Sequence, residues 1–302
     1  MARLLEVRQI SRSFGSTQAL RRASFSLDAG EIHALVGENG AGKSTLMKIL
    51  AGVHQKEEGQ VLLDGVEVNP QTPEEARSLG ISTVFQELSL CNNLSVAENI
   101  FANREPGSFG LVNQRLLNEL SDDHLRKFSF SIPAETLVGD LNLAQKQIVE
   151  ILKAMALKAR VLILDEPTSA LERTDAQRLF ELLARLKAQG TGIIFISHTL
   201  DEVFQIADTI TVFRDGEHIA TVKSNETDRG TVIKHMVGRK IQQIFSAKAT
   251  KPGRERLKVT DFCLRDTFDS ITFDLHEGEI LGVSGLTGSV RSEVMQSIFT
   301  FS

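Results

Sequence analysis

Short apolar runs set the rhythm of this chain, and several stand just ahead of a stretch with helical spacing. Ile32–Val36, Ile81–Phe85, Val161–Leu164 and Ile193–Ile196 are largely apolar, which is how strands covered on both faces of a parallel sheet read. Leu46, Met47, Ile49 and Leu50 follow the first run at helical spacing, and a helix from about Thr174 to Lys187, stopping at Gly190, follows the third. Residues 141–157 carry the strongest amphipathic pattern, with Asn142 as its N-cap. Strands of a second kind flank these units. Leu5-Glu6-Val7 and Ala23–Leu27 are strand segments separated by a break at Phe14-Gly15, and hairpins are expected around Asp64-Gly65 and Asp215-Gly216. Residues 88–155 read as largely helical. They hold a capping box at Ser95 and Glu98, a loop with Pro106, Gly107 and Gly110, and a helix from about Asn113 to Phe128. A short helix ends near Gly238. The fold class is α/β: a parallel core with an antiparallel β subdomain and an inserted helical subdomain.

Composition narrows the function classes without choosing one. The 302 residues, 41% hydrophobic and 24% charged, are ordinary for a soluble chain. A net charge of -5 with both signs interspersed argues against a nucleic-acid partner, which calls for a clustered basic face. Cys91 and Cys263 lie far apart without metal spacing, as in a reducing compartment. No apolar run approaches the roughly 18 residues that span a bilayer, so a membrane link is expected to run through a partner. With no Trp or Tyr in the chain, any ring that stacks on a ligand has to be Phe or His.

The chemistry concentrates at the ends of the buried runs. Gly37-Glu38-Asn39-Gly40-Ala41-Gly42-Lys43-Ser44-Thr45 fits G-x-x-x-x-G-K-[ST] between a strand and a helix. Glycines let successive N–H groups curl around an anion, and the helix start adds its positive end. Lys43 is expected on the β- and γ-phosphates of a nucleoside triphosphate and Ser44 on Mg2+. Gln86, Asp165-Glu166 and His198 each end a further core strand, facing the crevice where open α/β sheets bind ligands. Gln86 could bind Mg2+ or position water. Asp165 suits the metal, and Glu166 suits a base for water. His198 taken alone reads as structural; after a fourth core strand it reads as a ligand contact. Phe14 stands ahead of the loop at the distance expected for adenine stacking, or packs in the core.

The last stretch repeats the first at an offset of 248 positions. Phe25–Ile32 answers to Phe273–Ile280, Gly37 and Gly40 fall on Gly285 and Gly288, and Ser44 falls on Ser292. Val290 and Arg291 replace the loop's last glycine and its lysine, against the turn and against a point-like ammonium. The organisation expected is a nucleotide-binding domain over 1–245 with its helical subdomain at about 88–155, a linker over 246–256, and the start of a degenerate second copy over 257–302. That last piece, lacking most of a sheet, is expected to be loosely ordered or to lean on the first.

The assembled set resembles the ATPase of an ABC transporter, a P-loop NTPase fold. The wording "GENGAGKSTLMKILAGV", "VFQELSL", "LSVAENIF", "DEPTSAL" and "FISHTL" resembles the sugar-importer subclass that fuses two ATPase domains, over the whole chain but only somewhat more than half of the two-domain length. The resemblance implies ATP and Mg2+ as ligands and Phe14 and residues 37–45 as the nucleotide site. It further implies Ser44, Gln86 and Asp165 at the metal, Glu166 as base, and Gln86 and His198 at the γ-phosphate. The signature that reaches ATP in an opposite domain usually opens Leu-Ser. Here it is Leu141-Asn142-Leu143-Ala144-Gln145, so Asn142 and Gln145 take that place. Implied partners are membrane permease subunits docking near Glu87–Asn103, a second ATPase domain or a second copy of this chain, and indirectly a periplasmic solute-binding protein. The implied location is the cytoplasmic face of the inner membrane. Import of a sugar driven by ATP hydrolysis is the leading expectation. A nucleotide-binding module with little turnover is the second, and an ATPase acting on ribosomes or DNA the third.

Overall fold

Strands β1 (Arg3–Phe14) and β2 (Thr17–Asp28) pair as a long antiparallel hairpin whose inward residues, among them Leu5, Val7, Leu20 and Leu27, are buried. Strand β3 (Ile32–Val36) is buried at every position and feeds the glycine loop, from which helix α1 (Lys43–Leu50) starts. Strands β4 (Glu58–Leu63) and β5 (Val66–Val68) are joined at Asp64 and Gly65, both with positive φ (49° and 78°), the backbone a two-residue hairpin turn needs. Helix α2 (Pro73–Ser78), capped by Thr72, precedes strand β6 (Ile81–Val84). Helix α3 (Val96–Ile100), the short hairpin of β7 (Gly107–Ser108) and β8 (Leu111–Val112), α4 (Gln114–Lys127) and α5 (Leu143–Ala156) form the insertion. Strand β9 (Val161–Asp165), α6 (Arg173–Ala188), β10 (Gly192–Ile196), α7 (Leu200–Ile206), β11 (Thr209–Arg214), β12 (Glu217–Lys223) and α8 (Arg229–Val237) complete the first of two units, residues 1–241. The second unit, 242–302, holds β13 (Glu255–Leu264), β14 (Phe268–His276) and α9 (Arg291–Thr300). These elements belong to a computed structural model that describes residues 3–85, 87–108, 111–127, 130–156, 159–169, 171–238, 253–285 and 289–300.

Among the described residues, β12-β11-β3-β10-β9-β6 form one sheet, parallel except for β12, and β2-β1-β4-β5 form an antiparallel one. Alternate side chains of the parallel strands serve two cores. Ala34, Val36, Leu164 and Phe195 pack with α5 and α6, while Leu35, Ile163, Ile194 and Ile196 pack with α1 and the antiparallel sheet. Each fully buried Leu or Ile is worth about 1.5–3 kcal/mol, so the strands are held from both sides. Register then does the positioning. Leu35 lies opposite Ile196, Ile196 opposite Asp165, and Leu164 opposite Val84. The chain segments leaving β3, β10, β9 and β6 therefore emerge at one edge, at one level.

The insertion is less helical than its sequence suggests. Residues 87–95 and 130–142 are irregular apart from a 3-10 turn at Val138–Asp140 and a bridge between Ser95 and Leu137, and within the expected loop Gly107–Ser108 pairs antiparallel with Leu111–Val112. Pro133 and Gly139 interrupt the helical pattern, and the extended strap they leave is fully used. The Val96 and Ala97 N–H groups donate to Thr136 and Ala134 carbonyls, and Val138 and Gly139 donate back to Leu94 and Asn92. Unpaired donors at the start of α3 thus find partners outside the helix, beside the expected Ser95–Glu98 capping box.

The second unit repeats local details of the first. The Gln9 N–H donates to Ser24 Oγ at 2.9 Å, and the Asp261 N–H to Thr272 Oγ1 at 3.0 Å; both donors have positive φ. Asp28 and His276 N–H groups donate to Glu31 and Glu279 carboxylates at 2.7 and 2.9 Å. Arg22 and Ser270, 248 positions apart, have φ of 50° and 54°. Regular elements are thus present in this short piece, but residues 280–284, the counterpart of β3, carry no strand assignment. Among the described residues no strand pairs with them, and Ile280 is 97% exposed.

Candidate functional site

The loop after β3 is built around positions that only glycine fits. Gly37 has φ 156°, and a Cβ there would stand 2.2 Å from the Phe213 carbonyl oxygen of β11. Gly42 has φ 96°, and its Cβ would stand 2.6 Å from the Ala19 carbonyl oxygen. Between them the Ala41 N–H closes a turn onto the Glu38 carbonyl, with Glu38, Asn39 and Gly40 exposed. Gly42 serves as N-cap of α1 without a side-chain acceptor, leaving the first-turn N–H groups for an anion.

Lys43 is buried, and its Nζ donates to the Gly37 and Glu38 carbonyls at 2.7 and 3.0 Å. Burial lowers its pKa, opposed by the nearby carboxylates of Glu166 and Asp165. Asp165, on the neighbouring strand end but one, has its pKa raised by burial and by Glu166, against Lys43, Lys48 and a hydrogen bond from the Ser44 hydroxyl. One ammonium, two carboxylates and a hydroxyl therefore interact between the start of α1 and the end of β9. Glu166 adopts a left-handed backbone (φ 49°), fixed by its N–H donating to the Ile196 carbonyl at 3.0 Å. Its Oε1 lies 3.2 Å from His198 Nδ1. Such a backbone in a non-glycine residue costs about 1–3 kcal/mol and is kept where its surroundings fix it. Sequence reasoning overlooked Lys48, which adds positive charge near Asp165 from α1, and Glu202 of α7, which joins the turns on either side of the Glu166–His198 contact. Lys48 has a signal in its place near the end of α1; Glu202 has none near the motifs.

Residues 20–169 match the family model described as ABC transporter. The ribose import ATP-binding protein of Chromobacterium violaceum is 42% identical over 97% of this chain and 59% of its own length. The galactose/methyl galactoside import ATP-binding protein of Photobacterium profundum is 41% identical over 98% and 60%. A nucleotide-free ATP-binding cassette from an ABC transporter superposes with a TM-score of 0.67 at 25% identity, covering 79% of this chain and 96% of that one. This chain belongs to the ABC transporter family. It spans about three-fifths of the length of the curated relatives.

Within that family fold the remaining expected residues are placed unevenly. Phe14 ends β1 and is 41% exposed; the Arg12 guanidinium lies 5.0 Å from its ring centroid and the His54 ring 5.1 Å, edge-on. Asn142 caps α5, its Oδ1 accepting from the Gln145 N–H at 2.9 Å, while Gln145 Oε1 accepts from the Asn142 N–H at 3.0 Å. They line a cavity of about 400 Å³ with Asp175, Arg178 and Arg185 of α6, whose walls include none of Lys43, Ser44, Asp165 and Glu166. The signature residues thus line a cavity that these site side chains do not share. Thr45 follows Ser44 on α1, half-buried, and Gln86 lies outside the described residues. In the expected docking segment, Asn99 holds Cys91 N–H and carbonyl, and Ser89 is tied to Glu150 and Lys153 of α5. Among the described residues no helix is long and apolar enough to cross a membrane.

Proposed function

We propose that the chain is the ATP-binding subunit of an importer for a sugar or sugar-like solute, hydrolysing ATP on the cytoplasmic face of the membrane. The observation that carries this reading is the convergence of Lys43, Ser44–Asp165 and Glu166–His198 at one edge of a register-aligned sheet. The glycine cradle, with no room for a Cβ at Gly37 or Gly42, and the hydroxyl–carboxylate pair of Ser44 and Asp165 fit a triphosphate with Mg2+. Mg2+, held by Ser44 and Asp165 with Gln86, would neutralise charge on the β- and γ-phosphates. Lys43 would leave the loop carbonyls for the phosphate oxygens, and loop N–H groups would hold the β-phosphate. Phe14 would stack on adenine once Arg12 swings aside. Glu166 would accept the proton of the attacking water, with His198 orienting the γ-phosphate. Most of the acceleration would come from positioning and electrostatics.

The relatives named for ribose and galactose import support the solute class. Residues 87–103, strapped to α5, suit docking to a permease, which would face a solute-binding protein on the other side. Asn142 and Gln145 line a cavity that Lys43, Ser44, Asp165 and Glu166 do not share, which supports closure over ATP by a second ATPase domain or a second copy of this chain, head to tail. The same relatives, named as import ATP-binding proteins, lend no support to the alternative of a nucleotide-binding module with little turnover. Glu166→Gln tests the enzyme reading. Turnover should fall about 10²–10⁴-fold while ATP affinity, measured by calorimetry, stays within a factor of a few. Unchanged turnover would remove Glu166 from the reaction.

A further inference from the structure

Past the ends of β9 and β10 the ladder that aligns the two strands stops, yet Glu166 and His198 still meet at 3.2 Å. What joins the two turns beyond the Glu166–Ile196 backbone bond is a side chain from a third element. Glu202 Oε2 accepts from Thr168 Oγ1 at 2.6 Å and from Ser197 Oγ at 2.9 Å. Thr168 lies two residues after Glu166, and Ser197 immediately precedes His198. The Ser197 hydroxyl also accepts from the Thr199 N–H at 3.0 Å, so it fixes the backbone on both sides of the histidine. Thr168 is 7% exposed and Ser197 3%. Hydroxyls buried to that degree need partners, and hydrogen bonds to a charged acceptor are shorter and stronger than neutral ones. Val203, next to Glu202, is fully buried, which anchors α7 in the core.

We propose that Glu202 is a positioning residue for hydrolysis: its carboxylate straps the turn after Asp165-Glu166 to the turn before His198 and sets the separation of base and histidine. Its contacts are to Thr168 and Ser197, so it acts through Glu166 and His198. The proposal rests on the reading of Glu166 as base. A misplacement of about 1 Å in such a pair can cost roughly 100-fold in rate.

The test uses the full chain with Glu202→Ala, Glu202→Gln, Thr168→Val and Ser197→Ala, with Glu166→Gln as control. Glu202→Ala should lower kcat for ATP roughly 10- to 100-fold and leave KM within about twofold. Glu202→Gln, which keeps an acceptor oxygen, should recover most of the rate. Adding Glu202→Ala to Glu166→Gln should cost nothing further, because the strap acts through the base. In crystals, the Glu166–His198 contact should open beyond about 4 Å in Glu202→Ala and persist in Glu202→Gln. That distance is read whether or not the chain turns over. Should Glu202→Ala fail to fold, Thr168→Val and Ser197→Ala each remove half of the strap and are expected to open the contact in part. A contact that stays at 3.2 Å without the strap, or a rate loss matched by a rise in KM, overturns the proposal. Full turnover in Glu166→Gln would instead sink the base reading, leaving the crystal distance to judge the strap.

Discussion

The glycine loop at 37–45 and its counterpart 248 positions on share their approach but not their setting. Both follow a bulged hairpin whose Ser24 or Thr272 hydroxyl holds a positive-φ residue. Both turns are closed by a glutamate, Glu31 or Glu279, and both have a left-handed residue just before the helix, Gly42 at φ 96° and Val290 at φ 50°. Hairpin, cap and turn are local, and they persist wherever their own residues persist. The anion cradle is not local. Around Gly37 it is walled by β11, and around Lys43 it is charged by residues from β9, whereas residues 280–284 have no strand beside them among the described residues. The first loop thus joins its motif to neighbouring strand ends that supply its wall and its charges.

Removing the two equivalent cations separates the copies most sharply. Lys43→Ala should weaken ATP binding at least about 100-fold, as expected for losing charge-assisted bonds of roughly 1.5–3 kcal/mol each. Arg291→Ala should leave ATP affinity unchanged. Equal losses in calorimetric titrations would mean that the second loop also binds nucleotide.

Exchanging the left-handed residues probes the backbone alone. Gly42→Val sets a branched side chain where a Cβ already meets the Ala19 carbonyl oxygen at 2.6 Å, at a cost of about 2–4 kcal/mol in denaturant unfolding. Val290→Gly should stabilise by up to about 1 kcal/mol, strain relief being partly offset by the freer unfolded chain. A large gain at 290 would show that the second turn is held more tightly than a local turn.

The smallest effect concerns Asp165. Its raised pKa means that folding favours the protonated form. The resulting stability is present at acid pH and is lost as pH rises through the carboxylate range and above. Asp165→Asn should then raise the thermal midpoint at neutral pH slightly, on the order of 2–4 °C at most, and flatten its pH dependence. A lower midpoint would mean that the Ser44 and Lys43 contacts outweigh the burial of the charge.

Much of this was legible in the sequence because the signals are local. Apolar runs mark β3, β6, β9 and β10, the glycine pattern marks the loop, and Asp64-Gly65 marks its turn. Position in line after each run was enough to nominate Asp165, Glu166 and His198, since parallel register carries strand ends to one edge. What escaped depends on chain segments far apart. The strap over residues 130–142 is stabilised by donors from residues 96 and 97 and carbonyls at 92 and 94, so the helical reading of 88–155 was too simple. Glu202 is 34 positions from Thr168, and no spacing rule joins them. Asn142 and Gln145 were legible as a helix start, but that each caps with the other depends on side-chain rotamers.

On the proposed reading, the strand-end cluster becomes a complete ATPase site when a second ATPase domain or a second copy of this chain supplies the signature. The most direct measurement is the specific rate of ATP hydrolysis by the purified chain against its own concentration, with Glu166→Gln as control. Closure by a second copy gives a specific rate that rises with chain concentration and disappears in the variant. A rate flat at background across the same range, with ATP binding intact, would contradict closure by a second copy and leave the signature to a separate ATPase domain.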